Sequence, residues 1–176
     1  MRTLVLGGIR SGKSRWAEEA IAEAAGSLPV QYLATGPVSD SDSWSARVAA
    51  HQVRRPAHWV TVESSDVATQ LRHSPGTAAL VDDVGNWLTA AMDRRGAWTD
   101  GSVHEDVTDF VDAVHVFGSP LVLVSPEVGL TVVPATESGR RFADALGSLN
   151  QRLAGVCDRV VLVVAGQAVT IKPQRF

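Results

Sequence analysis

Apolar residues in this chain fall into short continuous runs separated by longer stretches of mixed polarity. The runs are Thr3–Leu6, Val30–Ala34, Trp59–Val62, Ala78–Val81, Pro120–Val124 and Arg159–Val164. Unbroken runs of this length predict strands buried on both faces, as in a parallel sheet whose two sides are covered by helices. The stretches between them read as helices at Arg15–Ala25, Trp44–Arg55, Asp66–Arg72, Trp87–Arg94, Val103–Phe117 and Glu137–Ala154. That alternation predicts right-handed strand-helix-strand units wound into three layers. Ala168–Ile171, following Gly166-Gln167, predicts a hairpin with the strand before it and hence one antiparallel edge strand. Three segments carry no regular signal: Thr35–Ser43, Arg95–Gly101 and Ser125–Thr136. The first and third follow strands at their carboxyl ends, where open α/β sheets place their sites, and are the expected substrate loops.

Composition narrows the picture. With 176 residues and 45% hydrophobic content, the chain is expected to form one domain over residues 1–176. A formal net charge of −3 and the absence of an extended basic run argue against nucleic acid as a partner and favour small molecules. Cys157 is the only cysteine, so neither an intrachain disulfide nor a cysteine-based zinc site is available. The working strand begins at Thr3 and no apolar run reaches membrane-spanning length, so the expectation is a cytoplasmic protein without a signal peptide and without membrane insertion.

Candidate chemistry begins directly after the first strand. Gly7-Gly8-Ile9-Arg10-Ser11-Gly12-Lys13-Ser14 fits the pattern Gly, any four, Gly-Lys-Ser/Thr, and a helix follows it. Glycines permit backbone angles at which successive N–H groups point inward at an anion. Lys13 then supplies a positive charge near the β- and γ-phosphates. The Ser14 hydroxyl is the expected Mg²⁺ ligand, and the helix N-terminus adds its partial positive charge. The expected architecture is therefore an α/β, P-loop NTPase-type three-layer domain with a mostly parallel sheet and an antiparallel edge strand.

Asp82 closes the run Ala78–Val81, where a nucleotide enzyme with a parallel sheet places a carboxylate facing Mg²⁺; a helix cap is the ordinary alternative. Asp83 is expected to point the other way. His51 lies on the predicted helix Trp44–Arg55 with Arg47, Arg54 and Arg55 three or four residues away, so one face presents an imidazole among guanidinium groups. Neighbouring positive charge keeps the ring neutral, and a neutral imidazole attacking an α-phosphate would give a phosphoramidate. A solvated basic face with an incidental histidine is the more ordinary explanation of the same spacing, which by itself does not establish catalysis. His58 is a rival nucleophile, but it sits at a strand entry where a turn histidine is the ordinary explanation, while His73, His104 and His115 are read as surface residues. Trp44, Trp59, Trp87 and Trp98 are read first as core or interface residues, with Trp87 and Trp98 also near enough to the expected loops to meet a large planar substrate.

Taken in order, these segments resemble a known family. Gly7 through Arg15, Ala34-Thr35-Gly36, Ala46 through His51 and Arg55-Pro56-Ala57-His58-Trp59 are similar to the bifunctional adenosylcobinamide kinase / adenosylcobinamide-phosphate guanylyltransferases of cobalamin biosynthesis. So are Glu127-Val128-Gly129, Val133-Pro134, Arg141 through Asp144 and Gly147 through Ala154. The resemblance runs nearly end to end. It implies phosphorylation of adenosylcobinamide by ATP or GTP, then transfer of GMP from GTP through a guanylylated histidine. It places His51 at the guanylylated position. It puts the phosphate loop, Ala34, Thr35, Gly36, Gln52, Val53, Arg54, Arg55, Glu63 and Asp82 at the GTP contacts, and it implies a homotrimer. A carboxylate at Glu63 suits guanine, whose N1–H and 2-amino group donate a pair of hydrogen bonds that adenine lacks. Departures from the family pattern are Ala50 in place of a second histidine, Asp83-Val84 after Asp82 in place of cysteine and threonine, and a less charged stretch at Ala135 to Gly139. Rival readings of the residues are a P-loop kinase of another small metabolite and a regulatory nucleotide switch, the latter weakened because no Asn-Lys-x-Asp motif is present.

Overall fold

The computed structural model describes residues 1–36 and 56–173. Strands β1 (Arg2–Gly7), β2 (Val30–Ala34), β3 (Val60–Glu63), β4 (Ala78–Asp82), β5 (Leu121–Pro126), β6 (Arg159–Val164) and β7 (Gln167–Lys172) form one sheet in the order β3-β2-β4-β5-β1-β6-β7. All neighbouring pairs are parallel except β6 with β7, which makes the antiparallel edge expected from the hairpin signal. The described helices are α1 (Lys13–Ala25), α2 (Val67–His73), α3 (Val84–Arg95), α4 (His104–Val116) and α5 (Glu137–Val156). The predicted helix Trp44–Arg55 and most of the loop Thr35–Ser43 lie outside the described residues.

Strand alternation divides the apolar residues between two cores. Val5, Tyr32, Leu80, Val122, Val124, Val161 and Val163 face α1, through Ala17, Ile21 and Ala25. Leu4, Leu33, Ala79, Val81, Leu121, Leu123 and Val160 face the layer built from α2 to α5. Three layers result, with four of the five described helices on one side.

Local chemistry accounts for the shifted boundaries. The helix predicted from Trp87 starts at Val84, because the Asp83 carboxylate accepts the Asn86 N–H at 2.7 Å and caps the first turn. The third strand starts at Val60, one residue late, because the Trp59 N–H is taken by Pro56 O in a turn at 3.0 Å. β5 runs on to Pro126 because its pairing with β1 continues through Leu6 with Ser125 and Gly7 with Pro126.

Candidate active site

The phosphate loop joins β1 to α1, and its glycines are required by what surrounds them. A Cβ on Gly7 would lie 2.8 Å from Val163 O. Gly12 has φ +94°, and a Cβ there would sit 3.2 Å from the Gly166 Cα. That neighbour is the tip of the β6–β7 hairpin, a two-residue turn in which Ala165 (φ 50°) and Gly166 (φ 77°) both take positive φ. The Gly166 N–H donates to Ser11 O at 2.8 Å, so the hairpin tip braces the loop from beneath. The hairpin was legible in the sequence, whereas its packing against Gly12 was not.

α1 begins on Gly12 with no side chain capping its first turn, whereas Asp66, Asp83 and Thr136 cap α2, α3 and α5. The first N–H groups of α1 are thus left for an anion. The Lys13 ammonium donates to Gly8 O at 3.2 Å and is exposed beside those groups.

Across the sheet edge, α1 meets β4. The Ser14 hydroxyl donates to Asp82 Oδ1 at 3.4 Å, and the Tyr32 hydroxyl donates to Asp82 Oδ2 at 2.6 Å. Asp82 has the same strand parity as Leu80 and faces α1, while Asp83 turns away to cap α3, as alternation predicts. Burial pushes the Asp83 carboxyl above its ordinary range and the nearby Asp82 charge acts the same way, while the Asn86 N–H and Lys13 oppose the shift. Tyr32 escaped the sequence reading, although a tyrosine inside an apolar strand run signals a buried hydroxyl in need of a partner.

Ala34-Thr35-Gly36 leaves β2 beside this pair. The Thr35 N–H donates to Asp82 O at 3.2 Å and its hydroxyl to Asp83 O at 2.6 Å, so that hydroxyl fastens the loop to β4. Glu63 is exposed at the end of β3, in register with Ala34 but four strands from β1, or roughly 19 Å at the usual strand spacing. His51, Gln52, Val53, Arg54 and Arg55 lie outside the described residues, in the segment between β2 and β3. His73, His104 and His115, read as surface residues, are exposed, and so is His58 at the entry to β3. Trp87 is core: it is buried and packs on Phe110 at 4.5 Å between ring centroids, so it offers no face to a substrate. Trp98 stacks on Phe142 at 6.3 Å.

The far side of the loop is tied to β5 and α5. The Glu127 N–H donates to Gly7 O at 3.1 Å, and the Glu127 carboxylate accepts the Gly129 N–H at 2.6 Å. Beneath them Asn150 accepts the Ser125 hydroxyl at 2.6 Å and donates to Pro126 O at 3.0 Å. Asn150 and Ser125 are both buried, so each satisfies the other. Cys157, the free thiol, is pushed up to about 12 by burial and is no nucleophile.

Could this edge hold a metal? Ser14 Oγ and Asp82 Oδ1 are hard oxygen donors facing one another, which suits Mg²⁺. Among the described residues no group of three or more His, Cys, Asp or Glu is placed to hold a metal.

Comparisons with known proteins agree with this geometry. Residues 3–171 match the family described as cobinamide kinase / cobinamide phosphate guanyltransferase. The bifunctional adenosylcobalamin biosynthesis protein CobP of Pseudomonas aeruginosa is 39% identical over 175 residues, spanning 98% of each chain. The CobU proteins of Salmonella typhimurium and Escherichia coli are each 35% identical, spanning 98% of this chain and all of theirs. Among solved structures, an ATPase from the type III secretion system of pathogenic bacteria superposes with a TM-score of 0.59 at 12% identity. The match covers 96% of this chain and 56% of that one, and it shows a shared fold alone. Among the described residues no helix is long and apolar enough to cross a membrane.

Proposed function

The chain belongs to the cobinamide kinase / cobinamide phosphate guanyltransferase family, and on that premise we propose that it phosphorylates adenosylcobinamide and then converts the product to adenosylcobinamide-GDP with GTP. The observation that carries the reading is the complete phosphate loop with Ser14 and Asp82 paired beside it. In the first reaction the substrate hydroxyl oxygen attacks the γ-phosphorus, the bond to the bridging oxygen breaks, and the nucleoside diphosphate leaves. Lys13 and the loop N–H groups hold the phosphates and offset the charge that develops on them. Ser14 and Asp82 would hold Mg²⁺, which supplies further neutralisation of the triphosphate when bound.

In the second reaction the His51 imidazole attacks the α-phosphate of GTP and pyrophosphate leaves. The phosphate of adenosylcobinamide phosphate then attacks the phosphoramidate, the N–P bond breaks, and His51 is regenerated. Arg47, Arg54 and Arg55 around His51 in sequence support this role, as does its match to the family position. Gln52 to Arg55, Glu63 and Ala34-Thr35-Gly36 would contact the guanine nucleotide, as the family resemblance implies. We assign these roles to one domain of a cytoplasmic enzyme that assembles as a homotrimer, as the family resemblance implies.

The test is incubation with adenosylcobinamide, Mg²⁺ and either ATP or GTP, with products separated by chromatography and identified by mass. Adenosylcobinamide phosphate with ATP, and adenosylcobinamide-GDP when GTP is present, are the expected products. Nucleotide binding without either product would leave the chain a member of the family with a different activity.

A further inference from the structure

A cavity of about 530 Å³ opens on the opposite side of β1 from α1. Its floor includes Leu6, the residue before the phosphate loop, and Glu127 stands at its edge with its N–H on Gly7 O. One wall is the segment Val132-Val133-Pro134, and the other comes from α5 through Ala143 and Gln151. The wall is preformed: the Arg140 guanidinium donates to Pro134 O at 3.0 Å and to Ala135 O at 2.9 Å. Val132 and Val133 nevertheless leave 87% and 73% of their surface in solvent in the single chain, an exposed apolar pair of the kind that marks a ligand groove or a subunit contact. The size is that of a small-molecule site, and the nucleotide already has its own cradle on the loop.

We infer that this cavity receives the hydroxyl-bearing arm and one edge of the corrinoid alcohol, not its whole ring system, with the apolar edge against Val132 and Val133 and the reacting hydroxyl delivered to Glu127. As the hydroxyl oxygen forms its bond to the γ-phosphorus and the diphosphate departs, the hydroxyl proton passes to the Glu127 carboxylate and from there to water. The assignment rests on the kinase reading above and adds to it the acceptor site and its base.

The experiment measures phosphorylation of adenosylcobinamide by ATP, without GTP, in three variants. Ala143→Trp fills the cavity from the helix side. Val133→Asp places a charge on an exposed apolar residue without disturbing the core. Both are expected to raise the KM for adenosylcobinamide by about tenfold or more, with the Kd of a fluorescent ATP analogue within about twofold of the parent. Glu127→Gln keeps an acceptor for the Gly129 N–H; it is expected to lower kcat by about 100-fold with little change in KM. Parent-like constants in Val133→Asp and Glu127→Gln overturn the assignment while the kinase reading stands. So does a Val133→Asp protein that changes oligomeric mass but not corrinoid KM. A parent protein that binds the ATP analogue yet phosphorylates no corrinoid overturns both.

Discussion

Asp82→Asn separates the carboxylate's part in the reaction from its part in the fold. The substitution keeps the size of the side chain and an oxygen for the Tyr32 hydroxyl, now 2.6 Å away, but removes the charge facing Ser14. A hydrogen bond to a charged group is worth about 1.5–3 kcal/mol and a neutral one about 1, so the fold loses about 1 kcal/mol. For a chain of 176 residues that lowers Tm by roughly 2–4 °C, and the protein stays folded. Turnover should suffer more, falling by about 100-fold or more, which corresponds to about 2.7 kcal/mol of barrier. The assay is steady-state kinase turnover as a function of Mg²⁺ concentration, with a thermal melt of the same preparation. Tyr32→Phe is the matched control: it deletes the hydrogen bond that Asp82→Asn only weakens, leaves the carboxylate, and is expected to lower Tm at least as much while keeping turnover within about fivefold. Parent-like turnover and Mg²⁺ dependence in Asp82→Asn would refute the reasoning and leave Asp82 as the partner of a buried tyrosine.

Gly12→Ala should weaken nucleotide binding, measured by a fluorescent analogue, and cost about 1–2 kcal/mol of stability, since φ is +94° and the new Cβ meets the Gly166 backbone at 3.2 Å. Asn150→Ala leaves the buried Ser125 hydroxyl and Pro126 carbonyl without their partner and should cost about 2–3 kcal/mol in denaturant unfolding. Asp83 is raised above its unfolded value, so the folded state holds its proton more tightly and stability falls as pH rises from the unfolded pKa through the folded one. Asp83→Asn, still a cap, should therefore flatten that slope and hold or raise Tm at neutral pH, whereas Asp83→Ala loses about 1 kcal/mol with the cap.

What could be read from the sequence follows physical range. The central strands were legible because a strand buried on both faces must be apolar throughout, and the phosphate loop because its backbone demands are met within eight neighbouring residues. Asp82 was legible as a carboxylate at a strand end. Its partner was not, because Tyr32 reaches it only once β2 pairs with β4 in the register that sets Ala34 beside Asp82. Thr35 on Asp83 O, Gly166 under Gly12 and Asn150 under Ser125 depend in the same way on which strands become neighbours. The helix start at Val84 was missed for a smaller reason: Asp82 and Asp83 both qualify as caps, and only the direction of each side chain separates them. The role given to His51 comes from family resemblance, since basic spacing alone favours an idle surface.

The covalent step is the most direct test of the proposed chemistry. The protein is incubated with labelled GTP and Mg²⁺, the adduct is mapped by mass spectrometry, and phosphorylation of adenosylcobinamide is assayed in parallel in the parent and in His51→Ala. The expected result is an acid-labile, base-stable GMP adduct on His51 in the parent, absent from His51→Ala, which still phosphorylates adenosylcobinamide because γ-phosphoryl transfer needs no protein nucleophile. A GMP adduct that persists in His51→Ala, on His58 or any other residue, would contradict it.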